Sequence, residues 1–205
     1  MNVLAHALLA GHDPALRLGG VMGDFVHGTP DHALPARVRD GIYLHRAIDG
    51  FTDSHPAVRA ARERMQPPFR RYAGILLDVW FDHLLANDFG RWSDEPLASF
   101  SDNVRAELHA ADAMLPDGLK RFLAYMDMHG LPAGYARLDR IEGAFAGISR
   151  RLSRANPVAE GLPVLLADAD ALRATFAAFF PDLRAFAAEW VAARPALTWP
   201  ARPST

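Results

Sequence analysis

The chain has 205 residues, with 22 basic against 24 acidic side chains, a net charge of −2. That balance excludes a dedicated nucleic-acid binder, whose domain would be basic. The absence of cysteine excludes disulfides, Cys-zinc sites and thiol nucleophiles.

Pro and Gly punctuate the chain, and no hairpin signal separates alternating runs, so the predicted elements are all helices. A first helix runs from Val3 to about Ala10 and stops at Gly11. Asp13-Pro14 reads as an N-cap followed by Pro at the first helical position, opening a second helix to about His27. A third runs from near Pro35 to about Asp53, Pro56 starts a short fourth, and a fifth covers Arg70 to about Asn87. Later helices begin near Pro96, Gly118, Pro132 and Gly161, and Pro181 is expected to split or kink the last. The expected architecture is one all-α domain over residues 1–194, a compact multi-helix bundle, with a Pro-rich tail over 195–205. No run of about 18 apolar residues occurs, so no membrane span is expected. The N-terminus lacks a basic region before its apolar run, which reads as mature structure of a cytoplasmic protein. Of the 22 basic residues 21 are Arg, a bias to which we attach no function by itself.

The residues able to do chemistry fall in the first 90 positions. The fifth helix is apolar almost all round, the pattern of a buried helix, yet it contains Asp78 and Asp82. Four residues apart, they share one face. Buried carboxylates need a partner, and a metal or an Arg between them would serve. Alternatively, one caps a backbone group and the other faces solvent. On the third helix His45, Asp49 and Asp53 also share a face but span about 12 Å, too far for one ion. His45 and Asp49 can share an ion, while Asp53 contacts substrate or caps the next helix. A surface salt-bridge network with Arg46 is the plainer reading of His45 and Asp49. The second helix carries Gly19, Gly20 and Gly23, costly in a helix unless a backbone or ligand approaches closely. Asp24 beside them is a candidate ligand. His6, alone on an apolar helix, suits a core histidine unless the other ligands gather around it. Imidazole and carboxylate without thiolate suit Mn²⁺, Mg²⁺, Fe or Zn²⁺ in a hydrolytic role. No zincin motif, Walker A loop or nucleophile elbow is present.

Four blocks in order resemble the acyl carrier protein phosphodiesterases. They are Met1-Asn2-Val3-Leu4-Ala5-His6, Gly23-Asp24-Phe25-Val26-His27-Gly28, Gly41 to Asp53, and Leu77-Asp78-Val79-Trp80-Phe81-Asp82-His83. The resemblance implies an all-α, HD-domain-like fold and hydrolysis of holo-acyl carrier protein to the apo-protein and 4′-phosphopantetheine. It implies a divalent cation, typically Mn²⁺, with Mg²⁺ or Fe²⁺ as alternatives. The chain departs from the ordinary HD pattern, since Asp82-His83 reverses the His-Asp order. Residues and resemblance together give the metal ligands as His6, Asp24, His45, Asp49 and Asp78, and Asp24, Asp82 and His83 as catalytic. His27 is an alternative to His83 for protonating the leaving serine oxygen. An acidic carrier protein needs a basic docking face, and positions 57–73 hold five Arg against one Glu. Arg46, Asp53, Arg59, Arg62, Arg70 and Arg71 are the expected substrate contacts. A second run (Arg137, Arg140, Arg150, Arg151 and Arg154) is interrupted by acids and less suited to docking. The other readings are an HD-like phosphohydrolase on a nucleotide or small phosphoester, and a non-catalytic helical protein binding acidic partners.

Overall fold

A computed structural model of the chain describes residues 1–194; the tail expected over 195–205 lies outside the described residues. The described residues form ten α-helices and no strand. They are α1 (Val3–Leu9), α2 (Pro14–Met22), α3 (Ala36–Ser54), α4 (Pro56–Arg64), α5 (Ala73–Asn87), α6 (Leu97–Ala110), α7 (Asp117–His129), α8 (Leu138–Arg151), α9 (Leu162–Ala167) and α10 (Ala169–Ala192).

Capping chemistry sets the boundaries that matter for the site. The Asp13 carboxylate accepts the N–H groups of Ala15 and Leu16 at 3.0 and 3.1 Å and opens α2 behind Pro14. Helix α2 stops at Met22 rather than near His27, and a 3₁₀ turn over Gly23–Phe25 follows. That early stop turns Asp24 off the helix axis. Arg70–Tyr72 likewise forms a 3₁₀ turn ahead of α5, and Ala133–Ala136 one ahead of α8. Pro181 does not end α10; it sits inside the 24-residue helix, on its exposed side. An internal Pro costs about 3 kcal/mol. Burial of Phe176, Phe179, Phe180 and Leu183 on the opposite side offsets that, at roughly 1.5–3 kcal/mol for each side chain.

Helix α5 is the buried strut of the bundle, with Leu76, Leu77, Phe81 and Leu85 fully inaccessible. Phe81 meets Phe176 and Phe179 of α10 at centroid distances of 5.7 and 5.8 Å. On the other side, α2 and α3 touch backbone to backbone. A Cβ on Gly19 would stand 2.0 Å from the Val38 carbonyl oxygen, and one on Gly41 would stand 2.3 Å from that of Leu16. Only glycine allows this approach, and it brings His45, one turn beyond Gly41, against the end of α2. The N-terminal end of α1 lies between α3 and α5, so the acidic faces of both helices meet there.

Candidate metal centre

Three residues from two helices converge where α1 meets α3. His6, His45 and Asp49 each offer a ligand atom, and these atoms lie within 4.8 Å of one another. His6 Nε2 is 3.2 Å from Asp49 Oδ1, and His45 Nε2 is 3.1 Å from Asp49 Oδ2. The imidazoles stack, with centroids 3.8 Å apart and planes at 19°. His45 Nδ1 lies 2.8 Å from the Gly20 carbonyl oxygen. Donating N–H there puts the lone pair of Nε2 toward the carboxylates, the tautomer a metal ligand requires. Gly23 makes room for the ring, since a Cβ there would stand 2.2 Å from His45 Cγ.

Three further ionisable groups flank this trio. Asp24 Oδ1 stands 3.4 Å from His45 Nε2, on a half-exposed side chain. The amino group of Met1 donates to Asp78 Oδ1 at 2.8 Å and to Asp49 Oδ1 at 3.5 Å. Burial pushes the Asp78 carboxyl up against the opposing charge of that amine. For His45 burial acts downward, but Asp24 and Asp49 outweigh it and hold its pKa up at about 9. His6 is lowered to about 4 by burial and by the charge of His45. Asp49, facing both rings, is held well below the usual carboxylate range despite its burial. One proton is thus shared among groups that would release it to a metal.

The donor set fits a divalent cation on one independent observation. Both nitrogens of the buried His6 ring lack a well-formed hydrogen bond among the described residues, although Nε2 is 3.2 Å from Asp49 Oδ1. Buried polar atoms are nearly always satisfied, and a cation held between His6, His45 and Asp49 would satisfy Nε2.

The remaining expected site residues lie elsewhere. Asp82 is fully buried and accepts the N–H groups of Leu4 and Ala5 at 2.7 and 3.2 Å, so it holds the first turn of α1. Asp78 and Asp82 therefore share no cation: one meets the Met1 amine, the other a helix N-terminus. The His83 ring lies against the Tyr135 carbonyl oxygen at 2.8 Å, outside the cluster. His27 is exposed in the loop after the Gly23–Phe25 turn. Arg46 clasps that loop, donating to the carbonyl oxygens of Val26 and Gly28 at 2.9 and 2.6 Å. Asp53 pairs with Arg62, which also lies over Gly74 at the start of α5. Arg59, Arg70 and Arg71 are exposed and form no ion pair among the described residues.

Sequence reading missed the other side of the site. A groove of about 750 Å³ opens beside Met1, Asp24 and Asp78, between α5, α7 and α8. Its walls include Phe25, Ile75, Phe122, Tyr125, Tyr135 and Ile148, and its rim carries Arg121, Arg150 and Arg151. The paired Arg150-Arg151 was visible in the sequence, but nothing there placed the end of α8 beside Asp24.

Fold and cluster together define an all-α protein with a His/Asp group able to hold a metal ion. The family model described as acyl carrier protein phosphodiesterase matches residues 1–183. Three similar proteins carry that same name. One from Enterobacter sp. (strain 638) is 36% identical over 187 residues, 89% of this chain and 95% of its own length. One from Escherichia coli O6:H1 is 35% identical over 187 residues, with the same coverage of 89% and 95%. One from Salmonella agona (strain SL483) is 36% identical over 192 residues, 92% of this chain and 98% of its own. No solved structure gives a significant match. The chain belongs to the acyl carrier protein phosphodiesterase family.

Proposed function

We propose that this protein is a metal-dependent phosphodiesterase that hydrolyses holo-acyl carrier protein to apo-acyl carrier protein and 4′-phosphopantetheine. Family membership supplies the substrate class, and the convergence of His6, His45 and Asp49 carries the chemistry. The all-α architecture and the His/Asp donors support a relation to the HD-type phosphohydrolases.

His6, His45 and Asp49 would hold the cation, with Asp24 and Asp78 within reach on either side. Imidazole and carboxylate together suit Mn²⁺, and also Mg²⁺ or Fe²⁺. Such an ion supplies Lewis acidity and a nucleophile from water at neutral pH. The chain's own residues do the rest. The Gly20 carbonyl fixes the His45 tautomer. Asp24, the most exposed carboxylate of the group, faces the groove where a phosphodiester would lie, and is placed to hold a proton of the attacking water. Asp82 acts through α1, setting the position of His6, the residue after Ala5. Arg59, Arg70 and Arg71, exposed on the surface, offer positive charge to an acidic carrier protein, which steers encounter more than it adds affinity.

The test is an intact-mass assay on holo-acyl carrier protein, with Mn²⁺ and with a chelator. The expected result is metal-dependent loss of the whole phosphopantetheine group from the carrier. Folded protein that leaves the carrier's mass unchanged with every divalent cation would overturn the reading.

A further inference from the structure

A phosphodiester has two ester arms, and a site that cleaves one bond must seat both. In the reaction proposed above, one arm is the carrier protein and the other is the pantetheine chain, thin and flexible, carrying two amides and ending in a thiol. The surroundings of the cluster are correspondingly unequal. On the side of α4 and the turn after it lie the exposed Arg59, Arg70 and Arg71. On the α7–α8 side the groove of about 750 Å³ begins at Asp24 and Asp78 and runs away from the cluster.

We infer that this groove is the binding site for the phosphopantetheine arm, together with any acyl chain on its thiol. Three observations carry this. First, the groove is continuous with the cluster, because Met1, Asp24 and Asp78 belong to both. A phosphorus held at the trio therefore has its non-protein ester arm at the mouth of the groove.

Second, the walls match the chemistry of the arm. Ile75, Val79, Phe122 and Ile148 give an apolar lining, and the Tyr125 hydroxyl adds a polar group to it. Apolar walls with a few fixed polar groups are the usual make-up of a small-ligand site. On α8 the groove is bounded by Gly143, Ala144 and Gly147, which keep the floor low. A Cβ on Gly143 would meet the Tyr125 hydroxyl at 3.1 Å, so even the smallest side chain would crowd it.

Third, the charge is complementary. Arg121, Arg150 and Arg151 line the groove and form no ion pair among the described residues. Three cations without carboxylate partners stand beside a site that takes a phosphodiester. Arg150 and Arg151, from the run that looked less suited to docking in the sequence, thus border the arm rather than the carrier's surface.

The inference rests on the phosphodiesterase reading, and one experiment separates the two. The chain has no cysteine, so a single introduced thiol is unique. Ala144→Cys places it on the groove wall, and Ala188→Cys places a control on a different cavity. Each variant, in chelator, is mixed with holo-acyl carrier protein whose arm thiol is activated as a 2-pyridyl disulfide. The introduced thiolate attacks the arm sulfur, forms the mixed disulfide and expels 2-thiopyridone, so no added oxidant is needed. The expected result is an adduct forming about tenfold faster or more at Ala144→Cys than at Ala188→Cys, because a seated arm raises the local concentration. Apo-acyl carrier protein should give none. Circular dichroism checks folding, and Ile148→Cys on the same wall repeats the test if Ala144→Cys unfolds. Equal rates at the two cavities, while the unsubstituted chain still releases phosphopantetheine, would overturn the groove assignment alone. No release by the unsubstituted chain would overturn both readings.

Discussion

Helix α1 has a cavity at each end. The groove at its N-terminal end measures about 750 Å³, and the one at its C-terminal end, between Leu9, Trp92 and Arg184, about 570 Å³. Their sizes do not distinguish them; the state of their charges does. At the C-terminal end Arg17 donates to Glu107 at 3.0 Å and to the Gly11 carbonyl oxygen at 2.8 Å, while Arg91 and Arg184 stand over the Trp92 ring. Arg17 thus has an ion pair and Arg91 and Arg184 an aromatic face, although Arg17 Nε itself has no hydrogen-bond partner among the described residues. At the N-terminal end, among the described residues, His6 is orphaned, His45 faces two carboxylates, and Arg121, Arg150 and Arg151 form no ion pair. Charges already paired within the fold stabilise it. Charges left open are free to bind something else.

The largest effect that would break this comparison comes from exchanging single carboxylates between roles. Asp49→Asn keeps the side chain's shape but removes the charge that both imidazoles face. We expect kcat on holo-acyl carrier protein to fall about a thousand-fold, the upper range for losing one electrostatic partner in an active site, with the helical signal intact. Asp82→Asn should do the reverse. It costs about 1–3 kcal/mol of stability by leaving a buried backbone N–H group without its acceptor, read as a lower denaturation midpoint. Activity per folded molecule should suffer far less. Catalytic loss at Asp82 without loss of stability would move it into the reacting machinery.

These two positions show what was legible in the sequence. All-helical architecture, most helix starts and the apolar character of α5 followed from periodicity and from Pro and Gly. His45 and Asp49 could be paired from their spacing alone, because a helix fixes i and i+4 side by side. Asp78 and Asp82 obey the same spacing but part company. Their shared face meets the N-terminal end of α1, and the amine of Met1 and the N–H groups of Leu4 and Ala5 divide the two carboxylates between them. No local rule encodes that contact. The groove was illegible for a related reason, since its walls come from α5, α7 and α8 and are joined only by packing.

A smaller but sharper effect is expected at the glycines. Gly23→Ala touches no ligand atom, yet its Cβ must displace the His45 ring. Metal affinity should fall roughly 10- to 100-fold, as for other residues that only orient a ligand, and titration calorimetry with Mn²⁺ would read it. Gly50→Ala on α3, with no atom within 4 Å of its Cβ, should leave affinity unchanged and raise stability by roughly 0.5–1 kcal/mol. Equal affinity in both variants would show that the His45 ring is free to move and that the centre is not built around it.

The smallest effect is in the protons, and its sign follows from the two stacked rings. In the metal-free protein His6 has its pKa lowered from 6.5 to about 4. Below pH 6.5 the unfolded chain takes a proton that the folded one refuses, so stability falls on acidification toward pH 4. His45 is shifted oppositely, from 6.5 to about 9. Its contribution is fully present below 6.5 and is lost as pH rises through 9. For these two rings together, the metal-free protein should be most stable near pH 6.5, where neither penalty has set in. A cation reverses the balance, because it needs both imidazoles neutral. Binding at pH 7 must expel the His45 proton, so calorimetry in buffers of different ionisation heat should report release of about one proton per ion. Affinity should climb with pH until about 9. Asp24→Asn removes one of the two carboxylates that hold that proton, so the release should shrink and the climb should end at lower pH. Binding without proton release would mean that the ion takes carboxylates alone, and that the stacked pair belongs with the sealed charges at the other end of α1.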